Sequence, residues 1–319
     1  MEPLSDLKVV LHSKRANIFY LEKCRVMMKD GRVVYLTEKS EESQYWNIPI
    51  ANTSVILLGT GTSITQAAVR MLSSAGVPFG FSGGGGTPLF AGTEVQWITP
   101  QSEYRPTEYV QQWMKFWFDS EKRLLRAKFF QESRLDFLMK TWEDDRDIKE
   151  ANIHVDDYEM QHILNIYRNK ISTTDNVGDL LATEALMTKE LYKYVAKKVG
   201  LTDFRRDRDQ PIDKANMFLN HGNYLAYGLA ATTLWVLGIP HGFAVMHGKT
   251  RRGALVFDVA DLIKDAIVLP LAFISASAQH SDKEFRDACL QAFATHGALD
   301  FMFDKVKEAA ITQVSGALL

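Results

Sequence analysis

Three aspartates in one short apolar stretch pose the first chemical question. In HGKTRRGALVFDVADLIKDAIVLP, residues 247–270, Asp258, Asp261 and Asp265 follow His247 at spacings of three and four. A helix over 255–268 places all three carboxylates on one face, while Leu255, Val256, Val259, Leu262, Ile263 and Ile267 fill the rest. Carboxylates stacked on one stripe repel one another, so the stripe needs either water or a cation beside it. Two further residues belong to the same question. Glu184, in LLATEALMTKELYKYVAKKVG, has Met187, Leu191 and Tyr192 at i+3, i+7 and i+8, which puts it at the border of an apolar helix face. His247 lies at the end of a segment, Ala215–Gly248, that contains no Asp, Glu, Lys or Arg.

Taken singly, each has a plain structural account: a boundary glutamate, a satisfied histidine, a solvated acidic face. Taken together, one imidazole and several carboxylates on separate helices form an oxygen-rich set suited to Mg²⁺ or Mn²⁺ rather than to a thiolate-bound metal. Lys249, Arg251 and Arg252 in KTRRG, with Arg205, Arg206 and Arg208 in FRRDRD, add cations able to hold phosphates. An acidic cage with a basic rim is what phosphodiester chemistry needs, a metal on the phosphate oxygen and arginines on the backbone. Residue types alone leave the metal and the structural accounts both open.

The elements that must position these residues change character along the chain. Up to about residue 98 the sequence reads as strands. ANIFYLEKCRVMMKDGRVVYLTE alternates apolar and polar residues around Asp30-Gly31, a hairpin signal, and TSVILLG and VPFGFS read as further strands. Gly83–Gly86 reads as a turn into TPLFAG. SITQAAVRMLSSAG reads as a helix with Ser63 as N-cap, Gln66 completing a capping box and Gly76 as its stop. GTGTSITQ is no dinucleotide fingerprint, because Ile64 stands where a third glycine is required. From Pro100 onward the periodicity is helical, and the aromatic stripe Trp113, Phe116, Trp117 reads as core. The expected fold class is therefore α+β in two domains: a small β-rich N-terminal domain over 1–98 and a larger all-α domain over 99–319, with a linker near 98–106.

The 319 residues, 46% hydrophobic, suffice for such a pair of cores. A net charge of −2 excludes a uniformly basic nucleic-acid coat but leaves room for local patches. Cys24 and Cys289 are too few and too distant for a disulfide framework or a zinc ribbon, which fits a reducing cytoplasm. MEPLSDLKVVLHSKR lacks the order of a signal peptide, and polar residues interrupt Ala215–Gly248, so that segment is expected to be a buried helix rather than a membrane span.

RANIFYLEKCRVMMKDGRVVYLT, LLGTGTSITQAAVRMLSSAGVPFGFSGGGG, TEALMTKELY, DKANMFLNHGNYLAYG and MHGKTRRGALVFDVADLIKD, in this order, resemble the CRISPR-associated endonuclease/integrase family, most closely its type I-F branch. The resemblance implies a metal-dependent DNA endonuclease/integrase that inserts spacers into CRISPR arrays, with a 3′-hydroxyl attacking a phosphodiester at the repeat edge. It implies metal ligation by Glu184, by His247 and by Asp261, support from Asp258, and no essential role for Asp265, which is expected to lie outside the site near Lys264. Ala185 departs from the glycine common after the glutamate. The implied partners are duplex DNA with 3′ single-stranded ends, a second copy joined through the N-terminal domains, and a small ferredoxin-like protein that type I-F systems fuse to a helicase–nuclease. Against this stand a non-catalytic DNA-binding scaffold and a general metal-dependent DNase.

Overall fold

The structure, a computed structural model, describes residues 15, 17–39, 42–83, 96–98, 107–207, 213–248 and 253–311. Residues 1–14, the turn beyond Gly83 with TPLFAG, nearly all of the linker, and Arg208, Lys249, Arg251 and Arg252 lie outside the described residues. The chain divides into two compact units, Met1–Arg105 and Pro106–Leu319.

The first unit holds two four-stranded sheets. In one, β1 (Asn17–Leu21), β5 (Thr53–Leu58) and β7 (Phe79–Phe81) pair in parallel, and β8 (Gln96–Ile98) joins β7 antiparallel. Strand β5 is buried at every position, as a parallel strand covered on both faces must be. In the other sheet, β2 (Cys24–Lys29), β3 (Arg32–Lys39) and β4 (Glu42–Asn47) form antiparallel hairpins, and β6 (Ser63–Ile64) adds in parallel to β2. The β2–β3 turn falls on Asp30 (φ 50°) and Gly31 (φ 73°), both left-handed as a two-residue primed turn requires.

Helix α1 (Gln66–Ser74) corrects one expectation. Its N-cap is Thr65, whose hydroxyl accepts from the Ala68 amide, and not Ser63. Ser63 and Ile64 are drawn into β6 opposite Arg25 and Val26, so the helix starts later and Gln66 sits too early to complete a capping box. Gly76, at φ 68°, ends the helix as expected, and the next amide, Val77, returns to the Leu72 carbonyl.

The second unit is helical: α2 (Glu108–Trp117), α3 (Ser120–Asp144), α4 (Arg146–Glu150), α5 (Tyr158–Thr173), α6 (Val177–Lys198), α7 (Lys214–Leu237), α8 (Ala254–Ile263), α9 (Leu269–Ser277), α10 (Asp282–Thr295) and α11 (Ala298–Ile311). The charge-free segment supplies α7, capped by Asp213 and ended by left-handed Gly238, and its core neighbours are α8, α9 and α11. No helix among the described residues is long and apolar enough to cross a membrane. Of the aromatic stripe, Trp113 and Phe116 are buried, whereas Trp117 is only half-buried and serves as a hydrogen-bond donor.

The single helix expected over 255–268 is broken into α8, a π-turn over Lys264–Val268, and α9. Pro270 accounts for the break. In an α-helix the Ala266 carbonyl would accept from residue 270, and proline has no N–H to give. The Leu269 amide instead reaches the Lys264 carbonyl, and the Ala266 carbonyl accepts from the Trp142 indole Nε1 at 3.0 Å. Helix α7 packs against this wide turn through Gly222, where an added Cβ would stand 2.5 Å from Cγ1 of Val268 and 3.0 Å from Cζ of Phe285. Gly222→Ala would gain about 1 kcal/mol of helix propensity. The overlap, with a short branched side chain and a buried ring, costs about 1–3 kcal/mol in such cores. A net loss of up to about 2 kcal/mol is expected, read as a lower urea midpoint with unchanged slope.

Candidate metal centre

His247 lies in a loop, yet five consecutive residues leading to it are tied down. Indole Nε1 of Trp113 donates to the Phe243 carbonyl at 3.0 Å, and that of Trp117 to the Ala244 carbonyl at 2.7 Å. The amides of Val245, Met246 and His247 all donate to the Asp258 carboxylate, at 2.7, 3.1 and 2.9 Å. The same carboxylate stands 2.8 Å from His247 Nδ1. With Nδ1–H donating to Asp258, the lone pair of the ring is left on Nε2, the arrangement that makes a histidine a directed metal ligand. Burial lowers the His247 pKa, but the hydrogen bond to Asp258 and the charges of Asp261 and Asp258 outweigh it and leave the imidazole above its ordinary value.

Asp261 lies one turn further along α8. Its Oδ1 pairs with the Lys264 ammonium, while its Oδ2 is buried with no hydrogen-bond donor and faces His247 Nε2 at 3.8 Å. A buried carboxylate oxygen left without a donor is costly unless something else fills its coordination. Lys264, His247 and Arg134 overcome the effect of burial and hold the Asp261 carboxyl below the usual carboxylate range.

Asp265 is not the outer residue expected from the sequence. It is 4% exposed, and its Oδ2 accepts from Nε and Nη2 of Arg134, itself 1% exposed. The π-turn carries Asp265 to α3, whereas Lys264 is taken by Asp261. Arg134 also reaches α6, where Nη1 donates to Glu184 Oε1 at 2.9 Å and Nη2 to Thr188 Oγ1 at 2.9 Å. Burial lowers the Arg134 pKa, but Asp265, Glu184 and Asp261 outweigh it and hold the guanidinium charged. The three aspartates therefore do not repel across one stripe. Asp258 serves backbone amides and His247, Asp261 serves Lys264, and Asp265 serves Arg134.

Of the proposed ligands, His247 and Asp261 are brought together. Glu184 is held by Arg134, which feels the charge of Asp261 but has no hydrogen bond to it or to His247, and among the described residues no three His, Cys, Asp or Glu side chains stand together as a metal-holding group. The donor set nevertheless suits a hard divalent cation: an imidazole nitrogen with a free lone pair, an orphaned buried carboxylate oxygen and a half-buried glutamate. Across this cluster four carboxylates meet two permanent cations, Arg134 and Lys264, so acidic side chains are in excess.

Of the basic residues, Arg205 is exposed. Arg206 is committed to α7, donating to Asn216 Oδ1 at 2.8 Å and Asn220 Oδ1 at 2.6 Å. Sequence reasoning missed Arg134, Lys264, Thr188 and Gln131 as parts of the site. Arg134 had a signal, since it occupies the apolar stripe of α3 between Phe130 and Leu138, where a charge requires a buried partner.

The family model for CRISPR associated protein Cas1 matches residues 19–292. The chain is 54% identical over 311 residues to the CRISPR-associated endonuclease Cas1 of Pectobacterium atrosepticum, covering 96% of this chain and 95% of that one. It is equally similar, 54% over 311 residues with 96% of each chain covered, to the CRISPR-associated endonuclease Cas1 of Pseudomonas aeruginosa. The fold resembles a crystal structure of a TtCas1–DNA complex, with a TM-score of 0.66, 19% identity and 95% of each chain covered.

The role of Asp258 can be read from a titration. A histidine with a raised folded pKa contributes stability that is fully present below its ordinary value of 6.5 and is lost as pH rises through the folded value. Asp258→Asn removes the charged acceptor, so the His247 pKa is expected to fall and that window to close. NMR titration of the imidazole C–H resonances in the metal-free protein measures this directly, and an unchanged midpoint would contradict the assigned role.

Proposed function

The chain belongs to the Cas1 family of CRISPR-associated proteins, and on that footing we propose that it is a divalent-metal-dependent DNA endonuclease/integrase of CRISPR adaptation. The observation that carries the metal reading is the buried, donor-free Oδ2 of Asp261 beside the Nε2 lone pair of His247. Glu184, His247 and Asp261 would hold Mg²⁺ or Mn²⁺. When bound, such an ion supplies Lewis acidity at a phosphate oxygen and favours deprotonation of an attacking hydroxyl.

The chain's own residues do the rest. Asp258 holds the imidazole with Nε2 turned toward Asp261 and fixes the loop that carries it. Lys264 keeps Asp261 ionised at neutral pH, so this ligand needs no deprotonation before it binds a cation. Arg205, with Lys249, Arg251 and Arg252, is proposed to hold the DNA backbone by charge. The incoming DNA is a duplex with 3′ single-stranded ends, and its 3′-hydroxyl attacks a phosphodiester at the edge of a CRISPR repeat while a 3′-oxygen leaves. The functional unit is a homodimer joined through the N-terminal units. It assembles with a small ferredoxin-like protein fused, in the type I-F branch, to a helicase–nuclease.

One assay tests the reading. Glu184→Ala, His247→Ala and Asp261→Ala are each expected to lower joining of a 3′-hydroxyl duplex to a repeat-containing target by about a hundredfold or more, at a temperature where melting curves show each variant still folded, the two carboxylate variants melting lower because each leaves a cation without its partner. Changes one shell further out already cost ten- to a hundredfold. Normal joining in any of the three removes that residue from the metal site. A 3′-deoxy end is expected to block joining, and target cleavage that proceeds equally well with blocked ends would identify a hydrolytic DNase instead.

A further inference from the structure

Arg134 is absent from the ligand set, yet it is the cation that holds Glu184. Its guanidinium is held at one edge by Asp265, which takes both Nε and Nη2. A second hold comes from Gln131, whose Oε1 accepts from Nη1 at 3.3 Å and whose Nε2 lies 3.5 Å from the sulfur of Met246, next to His247. From this fixed fork Nη1 donates to Glu184 Oε1 at 2.9 Å. Thr188, one helical turn along α6, is oriented by Nη2 and donates its own hydroxyl proton to the same Oε1 at 3.1 Å. Two donors therefore converge on Oε1, and among the described residues none takes Oε2. The Glu184 side chain is 16% exposed, so Oε2 can meet an ion arriving from solvent.

We propose that Arg134 is a positioning residue for the metal site: anchored by Asp265 and Gln131, it fixes Oε1 of Glu184 and reserves Oε2 as the donor to the divalent cation. This rests on the metal reading above. The competing account is that Arg134 only neutralises two buried carboxylates. The two accounts differ in sign. A mere counter-charge repels an incoming cation, so its removal strengthens metal binding. A positioning residue holds the ligand in place, so its removal weakens metal binding even where positive charge is kept.

The experiment is a Mn²⁺ titration of the intact metal-free protein, followed by calorimetry and by the loss of the free-ion EPR signal, with thermal melts of every variant. Arg134→Lys keeps the charge but loses the fork, and is expected to weaken Mn²⁺ binding ten- to a hundredfold, the usual loss for an outer-shell partner. Arg134→Met combined with Asp265→Asn removes the guanidinium together with its fully buried partner, leaving only the part-exposed Glu184 without it, and is expected to weaken binding to a similar degree. This double variant decides the matter if Arg134→Lys fails to fold. In a Glu184→Gln background the effect of Arg134→Lys should vanish, because the residue it positions is no longer a carboxylate ligand. Unchanged or tighter Mn²⁺ binding in the Arg134 variants, or a full Arg134→Lys effect in the Glu184→Gln background, overturns the proposal while leaving the metal site standing. Wild-type affinity in Glu184→Gln alone overturns the metal reading and the proposal with it.

Discussion

Two cations, Arg134 shut away from water and Lys264 half-buried, set the terms for the rest of the helical unit. Four carboxylates cannot enter a core of leucine, valine and phenylalanine unless positive charge enters with them. The two cations come from α3 and from the π-turn after α8, and they tie α6 to both. Removing one partner of such a buried pair costs about 3–5 kcal/mol, a large share of a domain's stability. The acidic centre is therefore no addition to a finished fold. The packing of α3 against α8 and the π-turn depends on the same side chains that set the charge of the site.

Histidine shows the same logic in a loop. A loop normally contributes mobile residues, but residues 243–247 give up one backbone group each to Trp113, Trp117 or Asp258. His247 thus has a helix's precision of placement without being in a helix. Asp258 does two tasks with one carboxylate, ordering the chain before the histidine and choosing its tautomer. The aromatic stripe of α2, which the sequence suggested was simple core, supplies the opposite wall of that clamp.

What could be read from the residues alone was what depends on neighbours in the chain. The Asp30-Gly31 hairpin, the buried helix within the charge-free segment 215–248 and the change from strands to helices after about residue 98 are set by local period and turn chemistry. Ser63 was misread because its fate depends on pairing with Arg25, far along the chain, and the backbone bridge wins over the cap. Asp265 was misread for a similar reason. Its sequence neighbour Lys264 was the natural partner to assume, while its actual partner is 131 residues away. The break in the helix was signalled by Pro270, but its form required Trp142, 124 residues from the carbonyl it receives.

That break has a consequence for how long the chain can be at this point. A π-turn accommodates one residue more than an α-helix holds in the same stretch of axis, and it absorbs the surplus locally. Without such absorption each added residue would rotate everything downstream by about 100°. A chain one residue shorter between 264 and 268, and with Pro270 replaced by a residue that has an N–H, would thus form ordinary helix and still deliver α8 and α9 to their present core faces. It would lose the outward step that carries Asp265 to α3. The proline opens the turn, and the extra residue it takes up is what brings a charge partner to Arg134.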